Sequence, residues 1–81
     1  MSTEILIIDD NAEIRLILQE ILSDSGYKTR LAANYNQALK EIDKKLPDVA
    51  VIDVKLDKSD NDGIELLNHI KNKNRDIPVI I

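Results

Sequence analysis

The 81 residues, 43% hydrophobic and 32% charged, describe one small domain and leave no room for a second. A net charge of -4, a pI near 4.8 and the lack of any Lys/Arg run argue against a nucleic-acid surface. With no cysteine there is no disulfide framework or thiolate metal site, which fits a reducing compartment. Met1 to Glu4 carry no basic segment and no apolar run approaches a membrane span, so the expectation is a cytoplasmic protein with no membrane partner.

Ile5-Leu6-Ile7-Ile8 reads as a strand buried on both faces, running from about Glu4 to Asp9 and ending in the acids Asp9-Asp10. Asn11 can cap a helix whose apolar residues Ile14, Ile17, Leu18, Ile21 and Leu22 repeat at the spacing of one buried stripe. Gly26 suits the left-handed position that ends it. Tyr27 to Leu31 alternates in the manner of an edge strand. Asn34 with Gln37 can open a second helix burying Ala38, Leu39 and Ile42, closed by Pro47.

Val49-Ala50-Val51-Ile52 repeats the first pattern: a doubly buried strand that delivers one acid, Asp53, to its tip. After the polar stretch Lys55 to Gly63, a third helix is expected to turn Ile64, Leu67 and Ile70 inward. Val79-Ile80-Ile81 begins another buried strand. Strand and helix thus alternate three times with a fourth strand starting, which requires parallel strands, right-handed crossovers and an α/β open sheet.

Ligands of such sheets bind beyond the carboxyl ends of the strands, where the strand order reverses. If the second and third strands flank the first, Asp9, Asp10 and Asp53 face one crevice. Three clustered carboxylates repel, so some are protonated or a cation lies among them. A hard oxygen site without Cys or His favours magnesium, with water or phosphate completing the octahedron. Asp and Asn after a strand are also ordinary turn and cap residues. Two strands ending in acid at one edge weigh towards a functional site.

Taken in order, Ile5 to Asn11, Asp48 to Leu56, Asp62 to Leu67 and Ile77 to Ile81 resemble the receiver domain of two-component response regulators along the whole chain. The resemblance implies a flavodoxin-like sheet of order 2-1-3-4, with Asp53 as phosphoacceptor. It also implies Mg2+ held by Asp9, Asp10, Asp53 and the backbone carbonyl of Lys55. The donor would be the phosphohistidine of a sensor histidine kinase, or a small acyl phosphate. A partner output domain, controlling transcription, is implied as well.

Receivers usually carry Pro four residues and Gly eight residues after the phosphoacceptor; here Asp57 stands at the first place and Gly63 lies ten residues on. That longer loop is similar to the NtrX-type nitrogen-regulation regulators. Receivers also continue to a switch Ser or Thr, a fifth strand with a Lys, and two more helices. The 81 residues are therefore expected to be the N-terminal part of a single receiver domain, truncated at the fourth strand and poorly competent alone. Its open apolar strand edge is expected to drive a dimer or swapped oligomer.

Other chemistries find less support. Asp57 to Gly63 fails as a calcium loop, because Lys58 and His69 fall where carboxylates are required. His69 is expected to be a surface residue rather than a ligand. No Gly-x-Ser-x-Gly or glycine-rich phosphate loop occurs. An aspartate-nucleophile phosphohydrolase would carry an acid two residues after Asp53, where this chain has Lys55. The non-enzyme alternative is a receiver-like interaction module that is never phosphorylated.

Overall fold

A computed structural model describes residues 3–53 and 62–81. Four strands, β1 (Glu4–Ile8), β2 (Lys28–Ala32), β3 (Val49–Ile52) and β4 (Val79–Ile80), alternate with three helices, α1 (Ala12–Asp24), α2 (Tyr35–Lys44) and α3 (Asp62–Lys73), among the described residues. The strands form one parallel sheet in the order β2-β1-β3-β4, the expected order, with β2 at the expected edge. The chain reverses direction across the sheet after β2. Right-handed crossovers therefore put α1 on one face and α2 and α3 on the other, where α2 and α3 pack together.

Local chemistry explains where the helices start and stop. The Asn11 side chain accepts the Glu13 and Ile14 N–H groups at 2.9 and 3.2 Å and so caps α1. At the other end Gly26, with φ +94°, donates its N–H to Ser23 O, and the Tyr27 N–H reaches Leu22 O. These two bonds satisfy carbonyls that the last turn would leave unpaired. Asn34 caps α2 by accepting the Gln37 N–H at 2.8 Å, while Gln37 Oε1 accepts the Ala33 N–H at 2.8 Å.

The main core lies between the sheet and the α2/α3 layer, built from Leu6, Ile8, Ala50 and Ile52 of the central strands with Ala38, Ile42, Leu66, Ile70 and Ile77. Arg30 ties the amino-terminal edge of the sheet to the carboxyl-terminal end of α2. Its Nη1 donates to Glu41 O and Glu41 Oε1 at 2.9 and 3.1 Å, and its Nη2 donates to Lys45 O. Arg30 Nε lies 3.0 Å from Glu4 Oε1 as an ion pair, but without hydrogen-bond alignment, so these two atoms are buried with only a Coulombic contact between them.

Several burial expectations need correction. The α1 stripe is not buried: Ile17 and Ile21 are 55% and 56% exposed, Ile14 is exposed, and only Leu18 and Leu22 are half-buried. The helix rests on β1 and β2 along its Arg15, Leu18, Gln19 and Leu22 edge, and no described element covers its other apolar edge. For the same reason Val49 and Val51 are half-buried, so β3 is fully buried on one face only, and Ile80 and Ile81 are exposed. In α3 the inward residues are Leu66 and Ile70, both at 0% exposure, while Leu67 is half-buried and Ile64 is 41% exposed. Leu39 is half-buried and packs against the core rather than within it.

Candidate phosphoryl and metal site

β1 and β3 are parallel neighbours in a register that sets Ile8 beside Ile52, so the next residue of each, Asp9 and Asp53, emerges at the same sheet edge. Backbone bonds hold both tips: the Asp53 N–H donates to Ile8 O at 2.9 Å, and the Asp9 N–H to Ala32 O at 3.1 Å. Asp9, Asp10 and Asp53 each turn a carboxylate oxygen to within 4.8 Å of the others. Asp9 and Asp53 are half-buried and Asp10 is exposed. An open groove of about 420 Å³ runs from these acids between α1 and the sheet, past Ile14, Leu18, Val51 and Ile81.

Asp9 carries the strain of this arrangement. Burial raises its pKa above the usual 3.8, and the charges of Asp53 and Asp10 raise it further; the Asn11 N–H bonded to its Oδ1 at 2.9 Å and the nearby Arg15 cation work against them. A divalent cation would relieve that repulsion, and the donor set of three carboxylate oxygens with no nitrogen or sulfur fits a hard ion such as magnesium. Lys55, whose carbonyl completes the expected ligand set, lies outside the described residues, as do Asp57 and the rest of the inserted loop.

The family model for the response regulator receiver domain matches residues 5–81. The chain belongs to the receiver domain family. It is 42% identical over its whole length to sporulation initiation phosphotransferase F of Bacillus subtilis, of which it covers 64%. It is 38% identical to the nitrogen assimilation regulatory protein NtrX of Azorhizobium caulinodans, of which it covers 18%. The crystal structure of NtrX from Brucella abortus superposes with a TM-score of 0.87 at 38% identity, over 98% of this chain and 18% of that one. A CheY-like receiver from Methanospirillum hungatei superposes at 0.89 with 28% identity, over 98% of this chain and 62% of that one. The chain therefore spans less than two thirds of the length of each of these relatives.

Two residues have partners that leave no periodic pattern in the sequence, and only the first of them reaches the acid cluster. Arg15 donates from Nη1 to Asp9 O at 2.7 Å, which brings a cation to the rim of the acid cluster. Its signal was a basic residue in the first turns of a helix, where the macrodipole disfavours positive charge. His69 is a partly exposed surface residue, as expected, and it lies at the α2/α3 seam: its Nε2 is 3.1 Å from Asp43 Oδ1, which Lys73 Nζ approaches at 3.3 Å. Among the described residues, no helix is long and apolar enough to cross a membrane.

Proposed function

We propose that Asp53 accepts a phosphoryl group from the phosphohistidine of a sensor histidine kinase, or from a small acyl phosphate, and that Asp9, Asp10, Asp53 and the Lys55 carbonyl hold Mg2+ for that transfer. The observation that carries this reading is the convergence of the three carboxylates within 4.8 Å at the point where the strand order reverses. Bound Mg2+ supplies charge neutralisation for the transferred phosphoryl oxygens.

The chain's own residues do the rest. A carboxylate oxygen of Asp53 attacks phosphorus, the new O–P bond forms as the P–N bond to imidazole breaks, and the leaving nitrogen keeps the electron pair and is protonated from solvent. The β1–β3 register sets Asp53 beside Asp9 at one sheet edge, so the acceptor lies next to the acids that would hold the cation. The acyl phosphate so formed acts as a signal to an output domain rather than as a turnover product.

We read the 81 residues as one part of a receiver domain in a cytoplasmic regulator of the NtrX type, supported by the longer relatives and the longer loop before Gly63. Self-association of the chain belongs to the same reading, since Ile14, Leu16, Ile17, Ile21, Ile80 and Ile81 are all exposed.

Intact-mass measurement after incubation with acetyl phosphate tests the proposal, on a receiver completed with the fifth strand and last two helices of one of these relatives, with and without Mg2+. The wild type should gain one phosphoryl group only with Mg2+, and the Asp53→Asn variant none. An unmodified wild type that still binds partners would replace this reading with that of an interaction module.

A further inference from the structure

The bond from Arg15 ends on a particular carbonyl. Asp9 O belongs to the peptide unit that joins Asp9 to Asp10, so whatever holds it sets two of the three clustered acids relative to each other. The other side of Asp9 is already fixed by its N–H bond to Ala32 O, and its carboxylate by the Asn11 N–H. Arg15 reaches this carbonyl from α1, where it is half-buried against the sheet and anchored by its own N–H bond to Asn11 O at 3.0 Å.

We propose that Arg15 is a positioning residue of the acid cluster: by holding the Asp9 carbonyl it keeps the Asp9 and Asp10 carboxylates in the arrangement that takes a divalent cation. The inference rests on the reading of the cluster as a cation site. Its sign separates it from plain electrostatics. A cation beside three carboxylates repels Mg2+, so deleting the charge alone would tighten metal binding. Loss of positioning weakens it, in the way that removing groups which orient metal ligands does in other sites.

The test is a Mg2+ titration of the 81-residue chain followed through the backbone amides of Asp10 and Asn11, for the wild type, Arg15→Met and Arg15→Lys. Met keeps the aliphatic stem packed on the sheet, and Lys restores a donor for the carbonyl. Arg15→Met should bind Mg2+ about tenfold more weakly, and Arg15→Lys should recover most of that loss. The Asn11 amide, which reports the bond to Asp9, should shift in cation-free Arg15→Met and return towards its place in Arg15→Lys. A merely structural role would lower the melting temperature of Arg15→Met while leaving the dissociation constant and the Asn11 amide unchanged. Binding by Arg15→Met as tight as the wild type, or tighter, overturns the proposal. A wild type that fails to bind Mg2+ overturns the cation-site reading instead.

Discussion

Leu66→Ala should be among the most damaging single truncations in α3, and Ile64→Ala about a third as costly, although both residues sit in the same apolar-rich helix. Leu66 is fully buried between α3 and the sheet, in the cluster that includes Ile52 and Ile70. Losing three carbons at about 0.8 kcal/mol each removes about 2.4 kcal/mol of transfer free energy. The cavity left behind brings the cost to about 3 kcal/mol. For a chain of 81 residues, whose total stability is of order 4–12 kcal/mol, that is a large fraction. Ile64 is 41% exposed, so its truncation forfeits only about 1.4 kcal/mol of transfer free energy, and alanine's better helix propensity offsets about 0.4 kcal/mol of that, leaving a cost of about 1 kcal/mol. Urea unfolding followed by far-ultraviolet circular dichroism measures both values. Equal costs for the two variants would mean that α3 presents the face carrying Ile64 and Leu67 to the sheet, and the packing described above would be wrong.

The raised pKa of Asp9 makes the native state bind a proton more readily than the unfolded chain, so Asp9 contributes stability below the usual 3.8 that is lost as pH rises through its folded value. Mg2+ should reverse that loss: at ten times its dissociation constant it adds about 1.4 kcal/mol at neutral pH, and a melting curve that moves equally with Mg2+ below pH 3.8 would contradict the linkage. Without divalent ions, Asp10→Asn removes a like charge and should raise stability by about 0.5 kcal/mol, read as a higher urea midpoint. The Asp43 pKa is lowered by hydrogen bonds from His69 and Lys73, so its contribution is present above 3.8 and disappears as pH falls through the lower folded value. Asp43→Asn should therefore be less stable than the wild type at pH 6, with the difference vanishing in strong acid, and a difference independent of pH would refute the pairing. The double variant Ile17→Glu/Ile21→Glu charges the exposed edge of α1 and should shift sedimentation towards monomer if that edge mediates self-association.

The two acid-tipped strands were legible because a continuous apolar run and an abrupt carboxylate mark a strand and its end, and the observed strands stop one residue before Asp9 and Asp53; the burial of both faces held for β1 but not for β3, where the run could not say that one face stays half-open. The turn chemistry of Asn11, Gly26 and Asn34 was equally local, and the structure uses each residue where its backbone preference places it. The α3 register was not legible, since Ile64, Leu66, Leu67 and Ile70 offer two overlapping helical faces and only contact with the sheet chooses between them. Periodicity likewise marked the apolar side of α1 but could not say whether another element rests on it. Arg15 and His69 escaped for a different reason. Their partners, a backbone carbonyl six residues back and an acid 26 residues away, leave no periodic trace in the sequence.

The most direct test of the central claim is to find which carboxylate carries the phosphoryl group. The receiver completed as above would be treated with acetyl phosphate and Mg2+, reduced with borohydride to convert an acyl phosphate to homoserine, and mapped by peptide mass. Homoserine at position 53 alone is the expected result. Homoserine at Asp9 or Asp10, or at none of the three, would contradict the assignment of Asp53 as the acceptor.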